Sequence, residues 1–167
     1  MGSLELRWGL IIGAANLVWL YLSYYLGMHD RGLGSIQVMG LISVFISVLG
    51  YVFALRALMK KFPETQFLEG IRSGAMIAGV VAIFAALAQV GYFQIINPGW
   101  TDHMVALTRS FYLESGLSDN EASEYAEGAR KTFGLTSYLV QAALGALIIG
   151  MISTTVIMAI LRKGKSA

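Results

Sequence analysis

The stretch 135–161, LTSYLVQAALGALIIGMISTTVIMAIL, contains no charged side chain. A helix rises about 1.5 Å per residue and the hydrocarbon core of a bilayer is about 30 Å thick, so roughly 20 such residues cross it. Residues 6–28, 34–58 and 71–96 are also long and apolar, with their few charges close to one end. The solvent for most of this chain is therefore lipid. In lipid a helix satisfies its own backbone hydrogen bonds, which an isolated strand does not. The expected fold is all-α: an integral membrane four-helix bundle forming a single domain over 1–167.

The composition agrees. Apolar residues make up 56% of the chain and charged residues 13%, at a mean hydropathy of +0.66, where soluble domains average about 25% charged. A net charge of +2 implies no nucleic-acid partner. The absence of cysteine excludes disulfides, thiolate metal sites and a cysteine nucleophile. The first apolar run is longer than a signal-peptide core and is followed by no Ala-x-Ala site, so it reads as a retained span.

Basic residues orient the bundle. Arg7, Arg56, Lys60, Lys61, Arg72, Arg162, Lys163 and Lys165 gather at one end, eight of the twelve. The positive-inside rule places that end in the cytoplasm, with both termini and the 58–70 connection. The chain is expected to cross its membrane several times. Trp8, Phe62 and Phe67 mark the inner interface, and Tyr24, Tyr25, Tyr92, Phe93 and Trp100 the outer one.

The 97–133 segment is too polar to cross and too patterned to be a plain loop. After Asn97-Pro98-Gly99, the apolar residues Met104, Leu107 and Phe111 recur at helical spacing. Ser118 and Glu121 then form a capping-box pair that opens a second helix, with Ala122, Tyr125, Ala126, Ala129 and Phe133 on one face. The expectation is a two-helix amphipathic extracytoplasmic cap whose second helix runs toward the fourth span, with a bend at Gly134. It reads either as a solvated or headgroup-lying hairpin or as a cover over a cavity.

Small residues recur every fourth position. Gly70, Gly74, Ala78, Ala82 and Ala86 mark the third span, Ala142, Ala146, Gly150 and Thr154 the fourth, and Gly9 and Gly13 open the first. Lipid tails are as apolar as leucine, so helices associate by close contact, which small faces permit. The third and fourth spans are expected to pack along these stripes. Such stripes also serve dimer seams.

Polar residues inside the spans define a candidate cavity. Ser23, Gln89 and Gln141 fall in the outer third of three different helices, near Trp19 and Tyr92, while Asn16 and Ser47 lie near mid-depth. Their ordinary role is interhelical hydrogen bonding; the sharper one is a shallow site opening outward. No Asp, Glu, Lys, Arg or His falls in the middle of any span, which argues against a proton- or ion-coupled transporter.

Catalytic patterns are weak. His29 and His103 each lie beside an Asp, and Glu121, Glu124 and Glu127 repeat on one cap helix, which suits a solvated acidic face better than a cation site. No P-loop, nucleophile elbow or His-Glu-x-x-His occurs. No catalytic, cofactor or metal residue is expected.

One resemblance runs along the chain. It rests on Trp8-Gly9-Leu10-Ile11-Ile12-Gly13, on Phe67-Leu68-Glu69-Gly70-Ile71-Arg72-Ser73-Gly74, on Asn97-Pro98 at the exit of the third span, and on Gly150-Met151-Ile152-Ser153 in the last. This order resembles a bacterial family of four-span membrane proteins of unknown function, common in Bacteroidetes and their relatives. The resemblance implies a fold and no activity. Physically, the Phe67–Gly74 motif reads as a helix entry in which Glu69 and Arg72 pair, with glycines for close approach.

Two functions from different classes follow. The first is a non-enzymatic structural, regulatory or accessory subunit, with the bilayer and a second copy or another membrane protein as partners. The second is a binding or transport protein with an outer-leaflet site for a lipid-like or small uncharged molecule. A membrane enzyme ranks third.

Overall fold

The computed structural model describes residues 2–163, without the side chain of Lys163; Lys165 of the basic tail lies outside the described residues. Helix α1 (Gly2–Tyr25) leads through a 3-10 turn (Met28–Asp30) into α2 (Leu33–Lys61). A short connection reaches α3 (Phe67–Gly91), which continues as a π turn (Tyr92–Ile96). The cap follows as α4 (Trp100–Glu114) and α5 (Asp119–Gly128), and α6 (Leu135–Lys163) returns through the bundle. Among the described residues four helices are long and apolar enough to cross a membrane: α1, α2, α3 with its π turn, and α6.

The bundle has a lipid-facing exterior. Leu41, Phe45, Ile83, Leu87, Ile148 and Ile160 all point outward and are exposed. An apolar girdle of this extent on a single chain marks a surface that meets something other than water. Inside, α3 packs against α6 and α1, while α2 closes the ring against α1 and α6. The helices α2 and α3 stand diagonally and barely touch.

The closest helix contacts occur at glycines. A Cβ at Gly74 would collide with the Thr154 side chain, and one at Gly70 with Met158, both across the α3–α6 contact. From the other side, a Cβ at Gly150 would meet the Tyr51 hydroxyl and come within 2.7 Å of Ala78. Gly9 and Gly13 do the same for α1 against α3, where a Cβ would come within 2.6 Å of Val80 and of Phe84. The core around these contacts holds Ile12, Tyr51, Leu55, Leu58, Ile77 and Met158. Ala142 and Ala146 of the same stripe front a cavity instead.

Three local expectations are corrected. Glu69 does not reach forward to Arg72. As the third residue of α3 its carboxylate turns back and accepts the Gln66 backbone N–H at 2.7 Å, because the first-turn amides have no intrahelical acceptor. The second cap helix does not run on to α6. It tightens into a 3-10 turn (Ala129–Lys131), and α6 restarts at Leu135. The residues expected to share one face of each cap helix divide: Met104, Ala122 and Ala126 are buried, whereas Phe111 and Tyr125 are exposed.

Two glycines test the packing. Gly74→Ala should destabilise the bundle by about 1–3 kcal/mol through overpacking, against a gain of about 1 kcal/mol in helix propensity. Thr154→Ala should restore part of the loss, a non-additivity expected of residues in contact. At Gly40 a Cβ meets nothing within 4 Å, so Gly40→Ala should leave the thermal midpoint in detergent unchanged or raise it.

Candidate functional site

The polar residues of α1 and α2 assemble first. Asn16 is their hub: its Oδ1 accepts from Ser43 Oγ at 2.7 Å, and its Nδ2 donates to Ser47 Oγ and to the Ile12 carbonyl, each at 3.0 Å. One turn further out, Trp19 Nε1 donates to the Met39 carbonyl at 3.0 Å. Each bond saves a polar group from going unpaired in hydrocarbon, and together they hold α1 against α2.

Next to this hub the four helices leave space. An inner cavity of about 260 Å³ is bordered by Asn16, Ser43 and Ser47, by Val81, Ala85 and Gln89, and by Gln141, Ala142 and Ala146. An outer cavity of about 220 Å³ adjoins it, bordered by Trp19, Ser23, His29, Tyr92, Trp100 and Tyr138. Leu20, Gly40, Ser43 and Gln89 line both, so the two share a neck. Val44 on α2 and Gln141 on α6 border the inner cavity and are exposed, which places its mouth between those helices.

The five residues singled out from the sequence sit differently around this space. Gln89 stands at the neck, and its carboxamide has no hydrogen-bond partner among the described residues. Gln141 lies at the mouth and donates to Ser137 Oγ at 2.7 Å. Ser23 is buried on the wall of the outer cavity, but its hydroxyl donates to the Leu20 carbonyl at 2.7 Å. Trp19 borders the outer cavity with its N–H already committed to Met39. Tyr92 is 2% exposed, and its hydroxyl oxygen accepts from Asn97 Nδ2 at 3.0 Å.

The π turn explains Tyr92. It packs one more residue into the last turn of α3 than a regular helix holds, which turns adjacent Tyr92 and Phe93 into the interior together. Such turns occur often at functional sites. The Asn97 N–H closes it on the Tyr92 carbonyl at 2.7 Å.

An aromatic cluster seals the outer end. His29, 2% exposed, stacks on Tyr92 at 5.1 Å and meets Trp100 edge-on at 5.1 Å. Trp100, 3% exposed, stacks on His103 at 5.7 Å. His103 Nε2 lies 3.1 Å from the His29 carbonyl, and Thr101 Oγ1 donates to the Phe133 carbonyl at 3.0 Å. The first turn of α4 therefore closes the cavity, while Arg130 bonded to Asp102 and Glu127, and Arg109 bonded to Asp119, tie the rest of the cap together. Two buried ring atoms at the cavity wall, His29 Nδ1 and Trp100 Nε1, have no hydrogen-bond partner among the described residues.

The electrostatics are quiet. Burial lowers the pKa of His29 from its ordinary 6.5, opposed by Asp30 and the Ser23 carbonyl and aided by His103. The Ser118 hydroxyl and backbone N–H hold the Glu121 carboxyl below its usual range, and Arg130 does the same for Glu127. Glu121 and Glu127 are thus engaged within the cap. Among the described residues no three His, Cys, Asp or Glu side chains converge as metal ligands would.

Sequence reasoning missed four residues here. Glu5, 1% exposed, accepts from Ser73 Oγ at 2.8 Å across α1 and α3; it fell just outside the first apolar run. Tyr51 is buried in the core with its hydroxyl unpartnered among the described residues. His29 and Gly40 carried no periodic signal, because a short turn and a lone helix glycine have none.

Four spanning helices around an interior lined by amides, hydroxyls and aromatic rings, closed at one end by a docked helical cap, define an integral membrane protein. Residues 7–163 match the family described as "Protein of unknown function (DUF4199)", and the chain belongs to it. Comparison with curated proteins and with solved structures gives no match.

The lowered pKa of His29 carries a pH dependence. The unfolded chain takes up a proton below its ordinary 6.5, while the folded site, faced by Asp30, His103, Tyr24 and Tyr92, resists it. Stability is therefore complete above that value and falls as the pH drops through it toward the folded pKa. The thermal midpoint should be lower at about pH 5 than at about pH 8, and His29→Gln should flatten that difference.

Proposed function

We propose that this protein is a non-catalytic binding or carrier protein for an uncharged, lipid-like small molecule, held in the linked cavities beneath the cap. The observation that carries this reading is Gln89: an accessible carboxamide without a partner among the described residues, at the neck shared by two cavities. A polar group in hydrocarbon is retained at a cost unless something bonds to it. Together the cavities fall within the size of small-molecule pockets, about 300–1,000 Å³. Among the described residues no Lys, Arg, Asp or Glu borders either one, which disfavours a charged ligand.

The first test is native mass spectrometry of protein extracted from its own membranes in mild detergent. Wild type should retain a defined uncharged amphiphile, and Gly40→Leu, which fills the neck, should lose it while keeping its thermal midpoint. Wild type that emerges bare would overturn the reading.

A second reading, an accessory subunit docking through the cap, draws on Phe111 and Tyr125. These lie 52% and 58% exposed on its outer face. A co-purifying protein without a retained small molecule would favour it.

We read the membrane as a bacterial inner membrane, with both termini cytoplasmic and the cap outside, supported by the basic residues at the end opposite the cap. The chain has no native cysteine, so single probes report cleanly. Ser110→Cys on α4 should react with a membrane-impermeant maleimide in intact cells, and Glu64→Cys only after lysis. The reverse pattern would invert the topology.

A further inference from the structure

The chemistry of the outer cavity narrows the ligand. Its walls are ring faces and edges: Tyr92, Trp100, His29, Tyr138 and Trp19. Such walls favour a planar group, because stacked and edge-on arrangements are the favourable ones for π systems. At about 220 Å³ the space suits one substituted ring and little more.

The polar atoms at that wall are selective. Trp100 Nε1 is a donor only; it faces the Tyr138 hydroxyl without completing a well-formed hydrogen bond to it or to any other described residue. The Tyr92 oxygen already accepts from Asn97, which leaves its own proton free to donate. Gln89 adds an amide at the neck. His29 Nδ1, also unpartnered among the described residues, donates or accepts according to tautomer. The site is thus rich in donors and matches a neutral head bearing carbonyl oxygens. A phosphate head would want a cation, and among the described residues no Lys or Arg borders either cavity.

The inner cavity supplies the rest of the shape. It continues from the neck along Leu17, Val81, Ala85, Ala142 and Ile149 to the mouth between α2 and α6. That path suits an aliphatic tail leaving toward the bilayer.

We infer that the cap-side cavity holds a quinone-type head, a planar neutral ring with carbonyl acceptors, whose aliphatic tail runs through the inner cavity to the lipid. This rests on the binding reading above and names its ligand class. The donors at Trp100 and Gln89 take the carbonyl oxygens, and the aromatic walls take the ring faces.

The test uses the intact protein stripped of lipid in detergent and titrated by native mass spectrometry with two probes. Decylubiquinone carries the ring and a ten-carbon tail; monoolein is an uncharged lipid with a flexible glycerol head. Decylubiquinone should bind at least about tenfold more tightly than monoolein, and Trp100→Phe, which keeps an aromatic face on a smaller ring and loses the N–H, should weaken it about three- to tenfold. Should Trp100→Phe fail to fold, Gln89→Met, which removes an amide without a protein partner, should weaken it similarly. Monoolein binding as tightly as the quinone, or no loss in either variant, would overturn the quinone inference while leaving the uncharged-amphiphile reading intact. Binding of neither probe would overturn both.

Discussion

The close contact of α3 with α6 organises this bundle. In lipid no hydrophobic force pulls helices together, so proximity has to come from surfaces that let backbones meet. Gly70 and Gly74 provide one such surface, filled by Met158 and Thr154, and Gly150 provides the reciprocal one, filled by Tyr51 and Ala78. Gly9 and Gly13 attach α1 to the other side of α3, and Ile12 fills the space at Gly50 on α2. These occluded glycines lie at mid-depth or toward the end opposite the cap. Toward the cap, a Cβ at Gly34, Gly40 or Gly145 would meet nothing within 4 Å among the described residues, although one at Gly91 would strike the Tyr21 hydroxyl. The bundle is looser on α2 and α6 toward the cap, and the cavities border those looser stretches.

Polar residues do not follow that division. In the tight half Ser73 donates to Glu5, but Glu5 Oε2 and the Tyr51 and Thr154 hydroxyls, packed close to helix backbones, have no hydrogen-bond partner among the described residues. In the open half some are locked and some are not. Asn16, Ser43, Ser47 and Trp19 use their capacity to join α1 and α2. Gln89, His29 Nδ1 and Trp100 Nε1 remain without partners among the described residues. A group bonded to a neighbouring helix adds to stability. A group at a cavity wall with its capacity unspent is available to a ligand, as the binding proposal requires.

Hydropathy made the helical membrane bundle legible because the signal is long and repeated: each span offers about 20 residues that report the same solvent. The Ser118–Glu121 capping box was equally legible, since it is a local pattern with a local cause. Other features depend on neighbours that no single stretch reveals. Glu69 has a plausible partner in Arg72, yet the backbone amide of Gln66 is nearer and unpaired. Gly40 and Gly74 are both helix glycines, and only the position of Thr154 makes one a contact and the other a void. Depth along a helix identified Ser23, Gln89 and Gln141 as polar residues in apolar surroundings, but which of them keeps a free hydrogen bond depends on rotamers. The π turn that brings in Tyr92 and the burial of His29 arise where α1, α3 and α4 converge, beyond the reach of periodicity.

The void itself is costly, and that cost bears on its purpose. At about 24 cal/mol per Å³, an enclosed space of the inner cavity's 260 Å³ would forgo roughly 6 kcal/mol of packing, an upper bound for one that opens between helices. Filling it demands little, because a side chain at Gly40 or Gly145 would enter open space without moving a neighbour. Polar groups could likewise have been closed off, as Ser23 is by the Leu20 carbonyl. Instead the neck holds a carboxamide, and the wall beyond it two ring nitrogens, that complete no hydrogen bond among the described residues. A space so easily filled, lined by polar atoms so easily satisfied, supports the proposal of a bundle that takes a guest over that of a purely structural one.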